Sequence, residues 1–144
     1  MSLLLDASAL LNIIRSLGKK SIPLIRGNYV LTLTSYEVGN VLWEEAILLK
    51  RITVEEALQL LKIINSVLTL LNTMELQDRE LTLKVACTLK ITYYDAAYIV
   101  TAYKLNAELV TDDDKLRRKV EEHMEILKEI LGGKITVRTS TEMI

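Results

Sequence analysis

Residues 3–11 read LLLDASALL, and this stretch indicates a strand followed by a helix, as in α/β folds. Its three leading leucines predict a short buried strand over 2–5, and the apolar spacing that follows predicts a helix over 7–17. Asp6 stands at the junction of the two elements. Open α/β sheets bind ligands beyond the carboxyl ends of their strands, so Asp6 marks the edge where a site would form.

The rest of the chain repeats the alternation of strand and helix. Further strands are predicted over 29–33, 67–71, 108–110 and 135–138. Helices are predicted over 35–49, 54–66, 75–89, 93–105 and 113–131, the last closed by a glycine pair at 132–133. This order implies right-handed crossovers and a parallel sheet. Residues 1–144 are therefore expected to form one α/β domain.

Composition narrows the class of protein. Half of the 144 residues are apolar and 26% are charged, as in a soluble globular protein. Residues 1–5 carry no basic side chain, and no apolar run is long enough for a membrane helix, so a cytoplasmic protein without a signal peptide is expected. Cys87 is the sole cysteine, which excludes an intrachain disulfide and a thiolate zinc cluster.

Four acidic residues, Asp6, Glu37, Asp95 and Asp113, follow predicted strands or open predicted helices. Helix capping is the plainer explanation for several of them. Thr34-x-x-Glu37 and Thr92-x-x-Asp95 have the spacing of a capping box, in which a hydroxyl and a carboxylate satisfy free N–H groups. Thr53-x-x-Glu56 has the same spacing without evident chemistry and serves as a control.

The run Asp112-Asp113-Asp114 places three carboxylates at a strand-to-helix junction. Adjacent like charges repel, so the run invites a cation or basic neighbours. Thr111-x-x-Asp114 has cap spacing, which would leave Asp113 freer to point into a site. The alternative explanation is an acidic first helical turn favoured by the helix dipole.

The acids as a group predict a divalent metal site. Carboxylate oxygens suit Mg²⁺ and Mn²⁺, whereas an imidazole-based site is excluded because His123 is the only histidine and lies in a charged stretch. A metal held by acids at a sheet edge is typical of enzymes that act on phosphates. The net charge of −1 does not itself indicate a nucleic-acid ligand.

Four motifs in order resemble the PIN domain and, within it, the VapC-type toxin ribonucleases. They are LLLDASALL (3–11), SYEVGNVLW (35–43), YYDAAYIVTA (93–102) and LVTDDDKL (109–116). The resemblance implies an α/β/α sandwich with a mostly parallel central sheet. It also implies a metal-dependent endoribonuclease that hydrolyses RNA phosphodiesters with one or two Mg²⁺ or Mn²⁺ ions. Frequent homodimers and, for toxins, a small antitoxin partner are further implications.

The resemblance assigns Asp6, Glu37, Asp95 and Asp113 as the acidic quartet. The family's Thr-x-Asp spacing selects Asp113, although Asp112 or Asp114 could share the metal. Supporting and RNA-binding roles fall to six further residues. Ser8, Asn40 and Thr111 would support the site, and Lys115, Arg117 and Arg118 would contact the RNA backbone.

Other functions stay open from the sequence. A haloacid-dehalogenase-like phosphatase needs a second acid two residues after the first, and here that position is Ser8. A housekeeping PIN nuclease in RNA processing and a catalytically inactive PIN-like interaction module are the alternatives. The predicted helix over 54–66 has more apolar positions than one buried stripe needs, so it is either an interface with an antitoxin or second copy, or a helix buried on two sides.

Overall fold

The computed structural model describes residues 2–144, which fold around a five-stranded sheet. The strands are β1 (Leu3–Leu5), β2 (Tyr29–Leu31), β3 (Asn72–Met74), β4 (Glu108–Val110) and β5 (Val137–Arg138). Their order is β3-β2-β1-β4-β5, and every neighbouring pair is parallel. The prediction of a mostly parallel α/β fold is confirmed.

Helices connect the strands on both sides of the sheet. They are α1 (Ala7–Leu17), α2 (Ser21–Ile25), α3 (Thr32–Trp43), α4 (Val54–Leu68), α5 (Arg79–Leu89), α6 (Tyr93–Leu105), α7 (Asp114–Glu122) and α8 (Met124–Leu131). A π-helical segment, Glu44–Leu48, extends α3. Among the described residues, no helix is both long enough and apolar enough to cross a membrane.

The strands divide their side chains between two cores. Leu4 and Leu109 face one core, which is closed by apolar residues of α5, α6, α7 and α8. Leu3, Leu5 and Val110 face the other core, which is closed by α1, α3 and α4. This alternation follows from the two-residue period of a strand. The result is the expected α/β/α sandwich.

The strand order places a topological switch point between β1 and β4. The chain adds β2 and β3 on one side of β1, then crosses to add β4 and β5 on the other side. The crevice beyond the carboxyl ends of the two central strands is where such sheets bind ligands. Asp6 follows β1, and the acidic run at 112–114 follows β4.

The predicted third strand over 67–71 is wrong. Val67 and Leu68 end α4, and the strand begins only at Asn72. The apolar run at 67–71 has another cause. Val67 is a buried residue of the last turn of α4, and Leu71 is buried in the segment that follows the helix. The actual β3 lies at the sheet edge, where its exposed Asn72 and Thr73 need no apolar side chain.

The predicted helix over 113–131 is two helices. The break lies at His123, whose backbone leaves the helical region and whose Nδ1 lies 2.9 Å from the Lys119 carbonyl oxygen. A straight helix of that length would extend about 28 Å, far beyond strands of two or three residues. The bend returns Leu127 and Leu131 to the core.

Smaller differences concern element ends. α3 begins at Thr32, three residues earlier than predicted, because the Thr34 hydroxyl accepts the Leu31 N–H at 3.1 Å. The expected Thr34–Glu37 capping box is therefore wrong, since Thr34 already lies in the first turn. α5 begins later than predicted, at Arg79, with Asp78 as its N-cap. The helix α2 was not predicted.

We expect Thr53→Ala to lower the free energy of unfolding by about 1 kcal/mol, the usual cost of losing an N-cap. Thr53 and Glu56 form a complete capping box: Thr53 Oγ1 accepts the Glu56 N–H at 3.0 Å, and Glu56 Oε1 accepts the Thr53 N–H at 3.1 Å. Urea unfolding followed by circular dichroism measures the change. Ser66→Ala in the same helix is the control, because its hydroxyl only bonds the Lys62 carbonyl within the helix. Equal losses for both variants would contradict the capping role.

Candidate active site

Asp6 lies at the carboxyl end of β1 and caps α1. Its Oδ1 accepts the Ala9 N–H at 2.9 Å and the Ser8 hydroxyl at 2.7 Å. The side chain is only 7% exposed. Burial raises the pKa of Asp6, although hydrogen bonds from Thr111, Ala9 and Ser8 oppose the rise. Capping and a site role are therefore compatible for this residue.

Ser8 joins the two sides of the switch point. Its hydroxyl donates to Asp6 and accepts the backbone N–H of Asp112 at 3.0 Å. Thr111, which is fully buried, hydrogen-bonds to the Asp6 carboxyl and accepts the Asp113 N–H at 3.1 Å. These two hydroxyls, both predicted to support the site, fix the distance between the ends of β1 and β4.

Glu37 is held by a chain of buried hydroxyls. Tyr98 donates its phenolic hydrogen to Glu37 Oε1 at 2.6 Å, and the Tyr98 and Thr34 hydroxyl oxygens are 2.8 Å apart. Because Tyr98 has one hydrogen and uses it on Glu37, Thr34 must donate to Tyr98. Thr34 in turn accepts the Leu31 N–H. The chain thus ties Glu37 to the end of β2.

Tyr98 is a site residue that the sequence analysis missed. It lies one helical turn after Asp95, on the same face of α6, and is 1% exposed. The signal available in the sequence was the Asp95-x-x-Tyr98 spacing, which places Tyr98 on the same helix face as an acid of the quartet. A buried tyrosine hydroxyl there needs a hydrogen-bond partner. Burial and the neighbouring Glu37 carboxylate raise the pKa of Tyr98, which therefore stays a proton donor.

Asp95 lies in the first turn of α6 but does not complete a capping box. The Thr92 hydroxyl accepts the Asp95 N–H at 3.1 Å. Within residues 2–144, the return bond from the Thr92 N–H to the Asp95 carboxylate is not formed, whereas Glu56 forms its equivalent. Asp95 is thus capped through its backbone while its carboxylate is left for another role.

Asp113 caps α7 itself. Its Oδ1 accepts the N–H groups of Lys115 at 2.9 Å and of Leu116 at 3.1 Å. The expectation that Thr111 and Asp114 would form the cap and leave Asp113 free is wrong. Thr111 instead accepts the Asp113 N–H, because the helix starts two residues later than that spacing assumes. One Asp113 oxygen is used by the cap, so Oδ2 is the oxygen available to a ligand.

The two acids beside Asp113 have other partners. Asp112 accepts hydrogen bonds from the Ser140 N–H at 2.7 Å, the Ser140 hydroxyl at 2.5 Å and the Asn12 amide at 2.6 Å. Burial alone would raise the pKa of Asp112, but the hydrogen bonds from Ser140 and Asn12 lower it overall. Asp114 is exposed and pairs with Arg117. Asp112 therefore fastens the C-terminal segment, and Asp114 lies on the surface.

Three of the four quartet carboxylates, those of Asp6, Glu37 and Asp95, have raised pKa values. Burial raises the pKa of Asp95, and the Asp113 carboxylate raises it further. Burial also raises the pKa of Glu37; the Tyr98 hydrogen bond opposes that rise, while Asp6 and Asp95 add to it. The quartet therefore forms a connected set of like charges at the switch point. Such a set favours a bound cation.

The donor set fits a hard divalent cation in chemistry and in charge, because carboxylate oxygens are the ligands that Mg²⁺ and Mn²⁺ prefer. Within residues 2–144, no three acidic, histidine or cysteine side chains already lie close enough together to hold one metal ion. Like-charged carboxylates repel, so a cation between them would allow a closer approach.

The predicted RNA-binding residues differ in their availability. Arg117 donates to the Thr111 carbonyl oxygen at 2.9 Å and pairs with Asp114. Arg118 is exposed and reaches the Asp114 carbonyl oxygen at 3.5 Å. The Lys115 ammonium, also exposed, makes no ion pair or hydrogen bond within the described chain. Lys115 is thus the most available of the three cations.

Asn40 was expected to support Glu37 from the next helical turn. Its side-chain amide instead contacts Glu44 Oε1 at 3.4 Å, away from the quartet. Asn40 and Glu37 nevertheless line the same open groove. Asn40 therefore lines the groove next to Glu37 and, in the described part of the chain, makes no hydrogen bond to it.

Replacing Asp95 with its amide is expected to stabilise the metal-free protein. The pKa of Asp95 is raised on folding, so its ionised form destabilises the folded state at neutral pH. Asp95→Asn should therefore unfold at a higher urea concentration than the wild type in EDTA at about pH 8. The difference should shrink on acidification, as the wild-type carboxyl becomes protonated.

Asp112→Asn provides the opposite case in the same assay. The folded pKa of Asp112 is lowered, so this residue contributes stability above its unfolded pKa and loses it as pH falls through the folded value. The variant should be less stable than the wild type at neutral pH. If Asp95→Asn lost as much stability as Asp112→Asn, the claim that the ionised Asp95 carboxylate destabilises the folded state would be wrong.

Comparisons with known proteins agree with this geometry. The PIN domain family model matches residues 3–122. The chain is 37% identical over 92 residues to Exonuclease VapC9 of Pyrobaculum aerophilum, a match that covers 64% of this chain and 66% of that protein. A crystal structure of PAE2754 from Pyrobaculum aerophilum superimposes with a TM-score of 0.75 at 29% identity, covering 99% of this chain and 87% of the other.

The family match spans β1 through α7 and includes all four quartet acids. The structural match extends the likeness to nearly the whole chain. The chain therefore belongs to the PIN domain family.

Proposed function

We propose that this chain is a metal-dependent endoribonuclease of the VapC type, which hydrolyses RNA phosphodiester bonds. The observation that carries the proposal is the quartet: Asp6 after β1, Glu37 on α3, Asp95 on α6 and Asp113 at the start of α7, in which Asp6 and Asp95 lie near enough to act on the charge of Glu37 and Asp113 on that of Asp95. Membership of the PIN family and likeness to a protein named an exonuclease support the nuclease class.

Asp6, Asp95 and Asp113 are the proposed ligands of one or two Mg²⁺ or Mn²⁺ ions. Bound metal would lower the pKa of a coordinated water and offset the charge that develops on the phosphate. Glu37 would ligate metal or orient the attacking water, and the Tyr98 hydroxyl, which donates to Oε1, would hold its carboxylate in place. Lys115, which is exposed and unpaired within the described chain, would contact the RNA backbone.

A toxin role, with a small antitoxin as partner, is the second part of the proposal. α4 is not buried on two sides: Val54, Leu58 and Ile63 are each more than half exposed. Val54 and Leu58, with Trp43 and Ile47, belong to an apolar surface spread over α3, the π-helical segment and α4, whereas Ile63 lies on another side of α4. An exposed apolar surface of this kind marks a protein interface, and an antitoxin segment or a second copy of the chain would cover it.

The first test is cleavage of total cellular RNA by the wild type with Mn²⁺, Mg²⁺ or EDTA. We expect cleavage only with metal, and loss of cleavage in Asp6→Asn, Asp95→Asn and Asp113→Asn, because each removes a proposed ligand. Asp114→Asn is the matched control, since that neighbouring acid pairs with Arg117 on the surface. Full activity in a clean preparation of Asp95→Asn would contradict the site assignment.

A circular single-stranded RNA separates internal cleavage from digestion at ends. It has no terminus, so an endoribonuclease converts it to linear products while an exonuclease leaves it intact. We expect linear products that appear with Mn²⁺ and not with EDTA. Digestion of the linear form alone would keep the nuclease and correct its mode of attack.

Tyr98→Phe should reduce kcat by about ten- to a hundredfold, the usual effect of removing the group that orients a ligand. The substitution deletes only the hydroxyl that holds Glu37. In a Glu37→Gln background the same substitution should have little further effect, because the carboxylate that it positions is gone. Equal losses in both backgrounds would indicate a general packing defect.

A further inference from the structure

An open groove of about 720 Å³ runs along α3 and reaches the start of α6. It is lined by Leu33, Tyr36, Glu37, Asn40, Val41 and Tyr94. Glu37 forms part of its wall, so the groove is continuous with the quartet. Whatever occupies it lies directly beside the proposed cleavage site.

Two tyrosines in this groove are unusually exposed. Tyr36 is 78% exposed and Tyr94 is 59% exposed, and neither hydroxyl makes a hydrogen bond within residues 2–144. Each directly precedes a quartet acid, Tyr36 before Glu37 and Tyr94 before Asp95. The fold therefore gains little from either ring, and both are available to a ligand next to the acids.

We propose that this groove, the Tyr36–Tyr94 groove, binds one unstacked nucleobase of single-stranded RNA beside the scissile phosphate. The inference rests on the proposed function. Every base has a π-face that stacks on an aromatic ring, whatever its sequence. Bases in a duplex keep their faces covered by neighbours, so the groove selects single-stranded RNA.

The remaining lining suits a base better than an apolar side chain of a protein. Leu33 and Val41 provide apolar surface for the base face, and the Asn40 amide provides hydrogen-bonding atoms for the base edge. Asn40 Nδ2 is directed to Glu44 at 3.4 Å, which leaves Oδ1 as an acceptor. The groove at Trp43 and Leu58, by contrast, is lined by apolar residues and glycine alone, as a protein interface would be.

The test uses a short single-stranded RNA with a defined cleavage position. Copies that carry one abasic nucleotide at successive positions around the scissile bond are compared with the intact strand and with a duplex. The variants are Tyr36→Ala, Tyr94→Ala and Tyr36→Phe, which keeps the ring. Tyr93→Ala is the matched control, because Tyr93 lies in the same helical turn as Tyr94 but outside the groove.

Loss of one stacking ring should raise KM for the intact RNA by about five- to a hundredfold while kcat changes little. Tyr36→Phe and Tyr93→Ala should behave like the wild type. An RNA with one abasic position next to the scissile bond should have a KM for the wild type that is raised to a similar extent. That penalty should vanish in Tyr36→Ala, because the ring that stacks on the missing base is gone.

Binding is measured separately by fluorescence anisotropy of labelled RNA, in an Asp95→Asn background with EDTA, so that this result does not require cleavage. If the wild type cleaves RNA but Tyr36→Ala and Tyr94→Ala keep wild-type KM and abasic penalties, the nucleobase subsite is overturned and the nuclease stands. If cleavage is absent but binding depends on both rings, the proposed function fails and the subsite stands.

One further result overturns the subsite. The two alanine variants could leave RNA binding unchanged and instead abolish association with a protein partner of the chain. The groove would then be a protein-docking surface.

Discussion

The main physical constraint on this structure is the repulsion between carboxylates gathered near the carboxyl ends of its two central strands. Asp6 is buried at the end of β1, and burying an unpaired carboxylate is costly unless hydrogen bonds or a cation compensate. The protein supplies the hydrogen bonds through Ser8, Ala9 and Thr111. Beyond burial, the Asp112 carboxylate raises the pKa of Asp6, and Asp6 and Asp95 raise that of Glu37. These like charges lower the stability of the folded state.

The four acids are positioned by three kinds of contact. Asp6 and Asp113 cap helices with their side chains, and Asp95 lies behind the capping hydroxyl of Thr92. Glu37 is aimed by the hydroxyls of Tyr98 and Thr34. Sites built on helix and strand ends are positioned more accurately than sites on loops, which suits a reaction that depends on ligand placement.

The sequence predicted the fold where strands and helices were strongly patterned. β4 and the helices at Ala7–Leu17 and Tyr93–Leu105 match the structure to the residue, and Asp6 and Asp113 follow the two central strands. The edge strand β3 was misplaced because an edge strand need not be apolar. The break at His123 was missed because it depends on the length of the strands that the helix packs against, which local pattern does not encode.

The supporting interactions were harder to predict than the acids. Capping spacing placed the boxes at Thr34 and Thr111 wrongly, since a shift of two or three residues in helix start reassigns every partner. The Tyr98–Glu37 bond joins residues 61 positions apart, and only the tertiary fold brings them together. Long-range contacts of this kind lie outside the reach of local sequence patterns.

The most direct test of the account is anomalous diffraction from crystals soaked in Mn²⁺, with data collected at the manganese absorption edge. We predict an anomalous peak at the switch point from a manganese ion coordinated by Asp6, Asp95 and Asp113, with Glu37 in contact with the ion or with its water. The peak should disappear in Asp95→Asn crystals grown and soaked identically. Manganese bound elsewhere, or an unchanged peak in Asp95→Asn, would contradict the claim that the quartet is a metal site.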